Sequence, residues 1–553
     1  LGVAPGDRVA IVAANRLEWA VACYATYGLE AVFVPMYEAQ LRKEWTHILK
    51  DSGARVCIAS TPSIHETVRA IASELPGLEH VIGLELPAEH EQSFRHLLGA
   101  GADHPIEPRH PTAEAIAGFI YTSGTTGMPK GVVLSHGNLV SNLMAMREVF
   151  PLEPTDRSLA FLPWAHSFGQ VAELHYGLSQ GISIALNDEL PHLLDNLAEV
   201  HPTILVAVPR VFNKIYDSVS QQIAHKPAVI RKLFADGLKT AALHRDGKKG
   251  SWLRELELSL DDKLIFSKVR EKFGGKLKFV ISASAALSKE VAEFVDALGI
   301  DVYEGYGLTE TSPAVTINTP GHRKIGSVGR VIPGVRVEID RDVTGDPIDG
   351  EIVVYGPNVM QGYHERPEET RAALTPDGGL RTGDLGHLDE DGYLYITGRI
   401  KEQYKLENGK YVMPAPVEEH LKLSPYIANV MLHGANRPYN VAVVVPEKKM
   451  LEEWAANEKI DLAGAGAKAR MQSLLHSEIE TRGAELRRYE LPKRFVIADE
   501  DFTTDNGLLT PTLKLKRRAV LDRYGADLEA LYRGGDAVEA AIDSEEQALL
   551  TKG

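Results

Sequence analysis

The chain has 553 residues, 44% of them hydrophobic and 25% charged, which are ordinary values for a folded globular protein, so disorder is not expected. A formal net charge of −16 excludes a nucleic-acid binder, whose footprint is basic, and requires any anionic ligand to be met by locally placed cations. The two cysteines, Cys23 and Cys57, exclude a disulfide framework, read as buried small hydrophobes, and fit a reducing cytoplasm.

The length suits a large domain with a smaller partner. The most apolar stretch, Trp19 to Tyr37, is interrupted by Gly28, Glu30 and Pro35 and falls short of the roughly 20 apolar residues of a membrane span. The chain opens at Leu1 with no signal peptide, and its first residues already read as a turn (Gly6-Asp7) feeding a strand, so some preceding sequence is expected. Residues 1 to 120 alternate in pattern. Strands are predicted over Arg8–Ala13, Ala31–Val34, Arg55–Ala59 and His80–Leu84, with helices over Glu18–Tyr27 and Ile64–Glu74. This alternation suggests βαβ units and a mostly parallel sheet, an α/β fold.

The segment Tyr121 to His136 reads Y-T-S-G-T-T-G-M-P-K-G-V-V-L-S-H between apolar runs at Ala115–Ile120 and Val132–Leu134, a tight loop between two strands. Gly124, Gly127 and Gly131 let backbone N–H groups approach an anion. Thr122, Ser123, Thr125 and Thr126 offer hydroxyl donors, and Lys130 supplies a point charge. The combination looks like a polyphosphate cradle; the plain alternative is a flexible glycine-rich hairpin. It is not a Walker A loop, because Met128 and Pro129 separate the glycine from the lysine.

Downstream, a helix is predicted over Asn138–Val149, then Ser158–Pro163 leads into Trp164-Ala165-His166-Ser167-Phe168-Gly169. A strand at Ile204–Pro209 precedes a long helical region to about Lys272, which holds the basic loop from His244 to Lys249. Phe279 to Leu287 reads as a strand running into a small-residue turn. In Val302 to Pro313, V-Y-E-G-Y-G-L-T-E-T-S-P, Gly305 and Gly307 let the backbone approach a flat base on which Tyr306 stacks. Thr309 can hydrogen-bond a phosphate, and Glu310 offers a hard oxygen ligand for Mg²⁺. Asp384, in R-T-G-D-L-G, can accept from both hydroxyls of a ribose, an Asx-turn being the alternative, and Arg399 can add a charged donor.

These segments, in this order, resemble the motifs of the adenylate-forming enzymes, and of the acyl-CoA synthetases in particular. The V-P-R-V-F segment, the helical stretch after Val211 and the segment Lys405 to Pro416 resemble the long-chain fatty acid branch. The resemblance places Ser123 to Gly127 and Lys130 on ATP phosphates, Thr122 and Glu310 at Mg²⁺, and His166 where the acyl carboxylate meets ATP. It makes Lys401 the hinge between an N-terminal domain (1–400) and a C-terminal lid (401–533), followed by an acidic tail (534–553). Lys405 and Tyr411 match nucleotide-contacting positions, and Lys514 rather than Lys516 matches the adenylation lysine. Two departures stand out: Ala283 and Ser284 replace a pair of glycines, and Leu513 replaces a glycine.

The implied activity is ATP-dependent long-chain fatty acid–CoA ligation through an acyl-adenylate, with ATP and CoA as substrates and Mg²⁺ as cofactor. The implied lid rotation about Lys401 withdraws Lys514 before the CoA thiol enters. Alternatives are a fatty acyl-AMP ligase serving a carrier protein, a luciferase-like oxygenase, and a catalytically dead lipid- or nucleotide-binding homologue. A cytoplasmic location is expected. Peripheral contact with the inner membrane face, and a monomer or homodimer, stay open, as does acyl chain length.

Overall fold

The computed structural model describes residues 1–122, 128–209, 267–283, 289–344, 346–462, 466–510 and 514–533, together with 287, 464 and scattered positions between 211 and 238. Ser123, Gly124, Thr125, Thr126 and Gly127, the basic loop from His244 to Lys249, Ser284, Leu513 and the tail from 534 lie outside the described residues. The chain divides into two compact units, Leu1–Ile396 and Thr397–Gly553.

In the first unit, strands Arg8–Val12 (β1), Val32–Met36 (β2), Val56–Ala59 (β3) and His80–Gly83 (β4) run parallel in the order β2-β1-β3-β4. Ile116–Thr122 (β5) pairs parallel with β2, and Lys130–Ser135 (β6) folds back antiparallel on β5. The apolar runs of the early strands are continuous because both faces of this sheet are covered. Val9 and Ile11 of β1 face a cluster with Trp19 and Phe33, whereas Ala10 and Val12 face another with Trp45 and Ile48. Successive side chains alternate between faces, so each residue of β1 finds a core.

The helix Leu17–Gly28 and the helix Pro62–Ala72 fall where the sequence places them. Two further helices, Arg42–Ser52 and Phe94–Ala102, were not legible as such. In the first of them Trp45, Ile48 and Leu49 form a narrow buried stripe on an otherwise charged helix.

A five-stranded sheet follows, in the order Arg330–Val331, Ala314–Ile317, Asp301–Gly307, Phe279–Ser282, Ile204–Ala207. A four-stranded sheet runs Arg336–Asp340, Gly350–Tyr355, Leu380–Leu388, Leu394–Arg399. The last of these strands straddles the boundary between the units. The two-residue strand Gly362–Tyr363 returns to the first sheet and pairs antiparallel with β6, Gly362 opposite Val133 and Tyr363 opposite Val132.

The second unit is built on its own three-stranded sheet of Ile427–His433, Asn440–Pro446 and Pro492–Ile497, with a small hairpin of Tyr404–Lys405 and Tyr411–Val412. Helices Pro414–Leu421 and Ala467–Arg482 contribute to one core, and Arg517–Ala530 to the other. Cys23 and Cys57 are fully buried, and burial pushes both thiols up to about 12, so neither is a nucleophile at neutral pH. Among the described residues, no helix is long and apolar enough to cross a membrane.

Trp19 is fully buried, edge-on to Phe33 at 5.0 Å and to Trp164 at 5.6 Å between ring centroids. Trp19→Ala is expected to destabilise the first unit by about 3–5 kcal/mol, the usual cost of deleting a buried aromatic. A fall in the urea midpoint checks this, and an unchanged midpoint would contradict the packing.

Candidate active site

The β5–β6 hairpin presents Thr122 and Lys130 as cross-strand partners at the mouth of the loop. Lys130 Nζ lies 2.5 Å from Glu369 Oε2 and 4.6 Å from the centre of the Tyr363 ring. The Tyr363 hydroxyl donates to Glu310 Oε1 at 2.9 Å. Burial and the neighbouring Glu310 carboxylate push the Tyr363 phenol well up, so it is a proton donor at any physiological pH. The cation of the hairpin and the carboxylate expected at Mg²⁺ are thus joined through one tyrosine that the sequence reading missed.

Glu310 sits in a single turn, Thr309–Thr311, between the strand Asp301–Gly307 and its antiparallel return Ala314–Ile317. The pairing shifts register between Tyr306 and Gly307. A Cβ on Gly307 would lie 1.8 Å from the Pro313 carbonyl oxygen, so this glycine is demanded by the tight return of the chain itself. Thr309 is buried, with its hydroxyl 3.1 Å from that of Ser167. Next to Ser167, His166 is half-buried and its Nδ1 accepts the Phe168 N–H at 3.2 Å. A π-helix, Phe168–His175, follows, a form concentrated at functional sites.

Two buried asparagines hold the Glu310 turn, and a third holds the segment that carries one of them. Asn142 and Asn358 each donate to the Ala314 carbonyl at 2.9 Å and also reach the Thr311 carbonyl. Asn138, one helical turn before Asn142 on the helix His136–Val149, donates to the carbonyls of Pro357 and Val359. Two asparagines four apart inside a predicted helix are a readable signal, since such residues favour caps and turns unless their amides are needed elsewhere.

On the strand Leu380–Leu388 of the four-stranded sheet, Asp384 is buried and accepts from the Tyr306 hydroxyl at 2.7 Å. It lies where the pairing of this strand with Gly350–Tyr355 shifts register, just after Gly383, whose φ is +71°. The base-stacking tyrosine and the ribose carboxylate of the sequence reading are therefore in direct contact. Gly305, Tyr306 and Gly307 close the strand Asp301–Gly307.

Arg399 ends the strand Leu394–Arg399, and Lys401 is exposed in the turn that follows. On the second unit, Lys405 is exposed with Nζ 5.4 Å from the Tyr411 ring centre. Lys514 is exposed beside a short ladder. Its N–H donates to Thr510 Oγ1 at 3.0 Å, and the Lys516 N–H donates to the Leu508 carbonyl at 2.9 Å. Lys516 is half-buried.

Among the described residues there is no cluster of three or more His, Cys, Asp or Glu side chains able to cage a metal. One carboxylate and one hydroxyl, Glu310 and Thr122, nevertheless suit Mg²⁺, which keeps several waters and binds largely through substrate phosphates. Glu310 Oε1 is occupied by Tyr363, and among the described residues Oε2 has no hydrogen-bond partner. The donor chemistry fits that ion.

Burial shifts other titratable groups near these elements toward their neutral forms. Burial pushes Glu173 up to about 8 and His175 down to about 4 on the π-helix. Burial also lifts Glu304, beside Gly305, to about 7, against partial relief from the N–H groups of Leu287 and Gly326.

Compared with solved structures, the chain resembles the adenylation domain of a carboxylate reductase from Mycobacterium chelonae, at 25% identity and a TM-score of 0.76, covering 96% of this chain and 81% of that one. It also resembles ATP-bound MatB from Rhodopseudomonas palustris, at 25% identity and a TM-score of 0.69, covering 95% and 90%. The fold is that of the adenylate-forming enzymes. The chain belongs to the AMP-binding enzyme family, whose profile matches residues 1–364, and the profile of the AMP-binding enzyme C-terminal domain matches residues 401–536.

Among curated relatives, the long-chain-fatty-acid–CoA ligase FadD15 of Mycobacterium tuberculosis is 35% identical, over 96% of this chain and 89% of its own. The peroxisomal long chain acyl-CoA synthetase 7 of Arabidopsis thaliana is 31% identical over 96% and 78%. The human long-chain-fatty-acid–CoA ligase 1 is 30% identical over 96% and 79%.

The folded pKa of Glu304 lies above its ordinary 4.5, so the folded chain holds a proton that the unfolded chain has lost. Its contribution to stability is complete below about 4.5 and is lost as pH rises through about 7. Glu304→Gln is expected to remove this slope, so that the variant gains in Tm relative to the parent between about pH 5 and pH 8. Parallel Tm curves over that range would contradict a buried, protonated Glu304.

Proposed function

We propose that the chain is an ATP-dependent long-chain fatty acid–CoA ligase. The observation that carries this reading is its likeness, at 30–35% identity over 96% of its length, to ligases of bacteria and animals that bear that name. The geometry supports a nucleotide site in which side-chain contacts link a cation to a single metal-type carboxylate, and a stacking tyrosine to a ribose-type acid.

In the reaction, a fatty carboxylate oxygen attacks the α-phosphorus of ATP, the bond to pyrophosphate breaks, and acyl-adenylate forms. The CoA thiol, losing its proton, then attacks the acyl carbon and expels AMP. Lys130 and the hairpin loop, Ser123 to Gly127, bind the phosphates that leave. Tyr306 stacks on the adenine between Gly305 and Gly307, Asp384 accepts from the ribose hydroxyls, and Arg399 adds a charged donor. Thr309 binds phosphate, and His166 orients the acyl carboxylate. Glu310 and Thr122 hold Mg²⁺, which when bound neutralises phosphate charge. Lys514 stabilises the charge that develops in the first step, Lys401 is the hinge, and Lys405 contacts the nucleotide. The chemistry asks for positioning and electrostatic stabilisation, with no covalent enzyme intermediate.

Pyrophosphate release and AMP formation, measured with a panel of short to very long fatty acids with and without CoA, test the reading. CoA-dependent turnover on long chains is expected. A stoichiometric burst of pyrophosphate that CoA does not accelerate would replace it with an acyl-AMP ligase, and no release with any acid would point to a need for preceding sequence or to a binding protein. Lys514→Ala is expected to lower adenylation by about two orders of magnitude or more while thioester formation from supplied acyl-AMP is largely kept. Equal loss in the two half-reactions would remove Lys514 from its assigned role.

A further inference from the structure

The hairpin lysine and the metal-type carboxylate belong to different sheets, and the short segment from Met360 to Glu369 connects them. Its backbone is stitched to both. The Gln361 N–H donates to the Val133 carbonyl at 3.0 Å and the His364 N–H to the Gly131 carbonyl at 2.8 Å. The Met360 N–H donates to the carbonyl of Glu310 itself at 2.9 Å. Its side chains repeat the connection, with the Tyr363 hydroxyl on Glu310 Oε1, the Tyr363 ring under Lys130, and Glu369 on the Lys130 ammonium. Tyr363 is in turn fixed by the Thr370 hydroxyl, which accepts its backbone N–H at 2.9 Å.

A lone tyrosine on a surface strand would be unremarked. Here its hydroxyl and its ring each constrain a different partner. The hydrogen bond to Oε1 turns Glu310 so that one oxygen is engaged and the other is left for a cation. The ring face attracts the Lys130 ammonium by its quadrupole. Glu369, on the helix Pro367–Ala373, is the anion paired with Lys130 among the described residues.

We infer that Tyr363 is the positioning residue that holds the metal carboxylate Glu310 and the phosphate cation Lys130 in one frame, and that Glu369 stands on Lys130 in place of a phosphate until the nucleotide displaces it. This rests on the nucleotide-site reading above. Tyr363 touches no reacting atom; it acts through Glu310 and Lys130. Glu369 is a competitor of the polyphosphate for one ammonium, so its removal favours nucleotide binding. The segment P-E-E-T that carries it has no distinct signal in the sequence, because an acidic first helical turn is ordinarily explained by the helix dipole.

The two halves separate experimentally by direct binding, without turnover. Nucleotide affinity is measured by calorimetry with ATP in excess EDTA and again with saturating Mg²⁺, and metal affinity by the electron paramagnetic resonance of Mn²⁺ titrated into the protein with ATP. Tyr363→Phe keeps the ring and removes only the hydroxyl. It is expected to leave metal-free ATP affinity within about twofold of the parent and to weaken Mn²⁺ binding roughly tenfold, the order of one hydrogen bond to a charged group. Glu369→Gln is expected to tighten metal-free ATP binding severalfold without changing Mn²⁺ affinity relative to the ATP-bound state.

A Tyr363→Phe variant with the parent's Mn²⁺ affinity, or a Glu369→Gln variant with unchanged or weaker metal-free ATP binding, would overturn the corresponding half. Loss of Tm in Tyr363→Phe with both affinities unaltered would mark the tyrosine as a packing residue only. A parent protein that binds no ATP would overturn the nucleotide-site reading itself, an outcome distinct from either variant result.

Discussion

Buried carbonyls must find donors, and the turn that carries Glu310 has two that no strand ladder reaches. Between Gly307 and Ala314 the chain reverses too tightly for regular pairing, which leaves the oxygens of Thr311 and Ala314 inside the protein. The amides of Asn142 and Asn358 converge on that pair from two separate segments, and the Ser312 hydroxyl donates back to the Asn358 carbonyl. An unpaired buried carbonyl costs on the order of 1–3 kcal/mol, so the turn is specified by these amides as firmly as a strand is by its ladder. Asn142 rides on the helix that begins directly after the phosphate hairpin. The hairpin, the helix and the acidic turn are therefore set relative to one another by hydrogen bonds of fixed geometry before any ligand arrives.

That frame explains how an acidic chain can offer a site for a polyanion. With a net charge of −16, the average field repels ATP, and a cation must be placed and kept where it is needed. Lys130 is kept by an aromatic face and one exposed acid, partners that bind weakly enough to be exchanged for phosphate. Two of the buried acids, Glu173 and Glu304, add less opposing charge than their number suggests, because burial pushes them toward the neutral form. Burial thus does two jobs here. It shapes the interior and also lowers the count of negative charges that the phosphates would meet.

Much of this was legible in the sequence wherever a local rule applied. The alternation of Val9, Ala10, Ile11 and Val12 between two cores is what a doubly covered strand requires, and the β5–β6 hairpin follows from two apolar runs around a glycine-rich stretch. Tyr306 and Asp384 were each read from side-chain chemistry, but their direct contact could not be, since 78 residues separate them. The same holds for Tyr363, whose role depends on partners 53 residues and more than two hundred residues away. The π-helix after His166 also escaped, because its wider turn leaves no distinct apolar period. Long-range pairing, not composition, is what these residues encode.

The glycines divide by the same distinction. Gly307 reads as a residue that clears space for a base, yet the Pro313 carbonyl alone already forbids a side chain there. A glycine in a binding motif can therefore be required by the chain's own path, and the ligand then uses a surface that folding has already stripped of side chains. The order of causes matters. The tight return creates both the bare backbone at Gly307 and the two stranded carbonyls, the asparagines answer the carbonyls, and the answered turn fixes Glu310 where Tyr363 can reach it. Site geometry of this kind is a consequence of satisfying the backbone first, which is why the residues that secure it are neutral amides with no chemistry of their own.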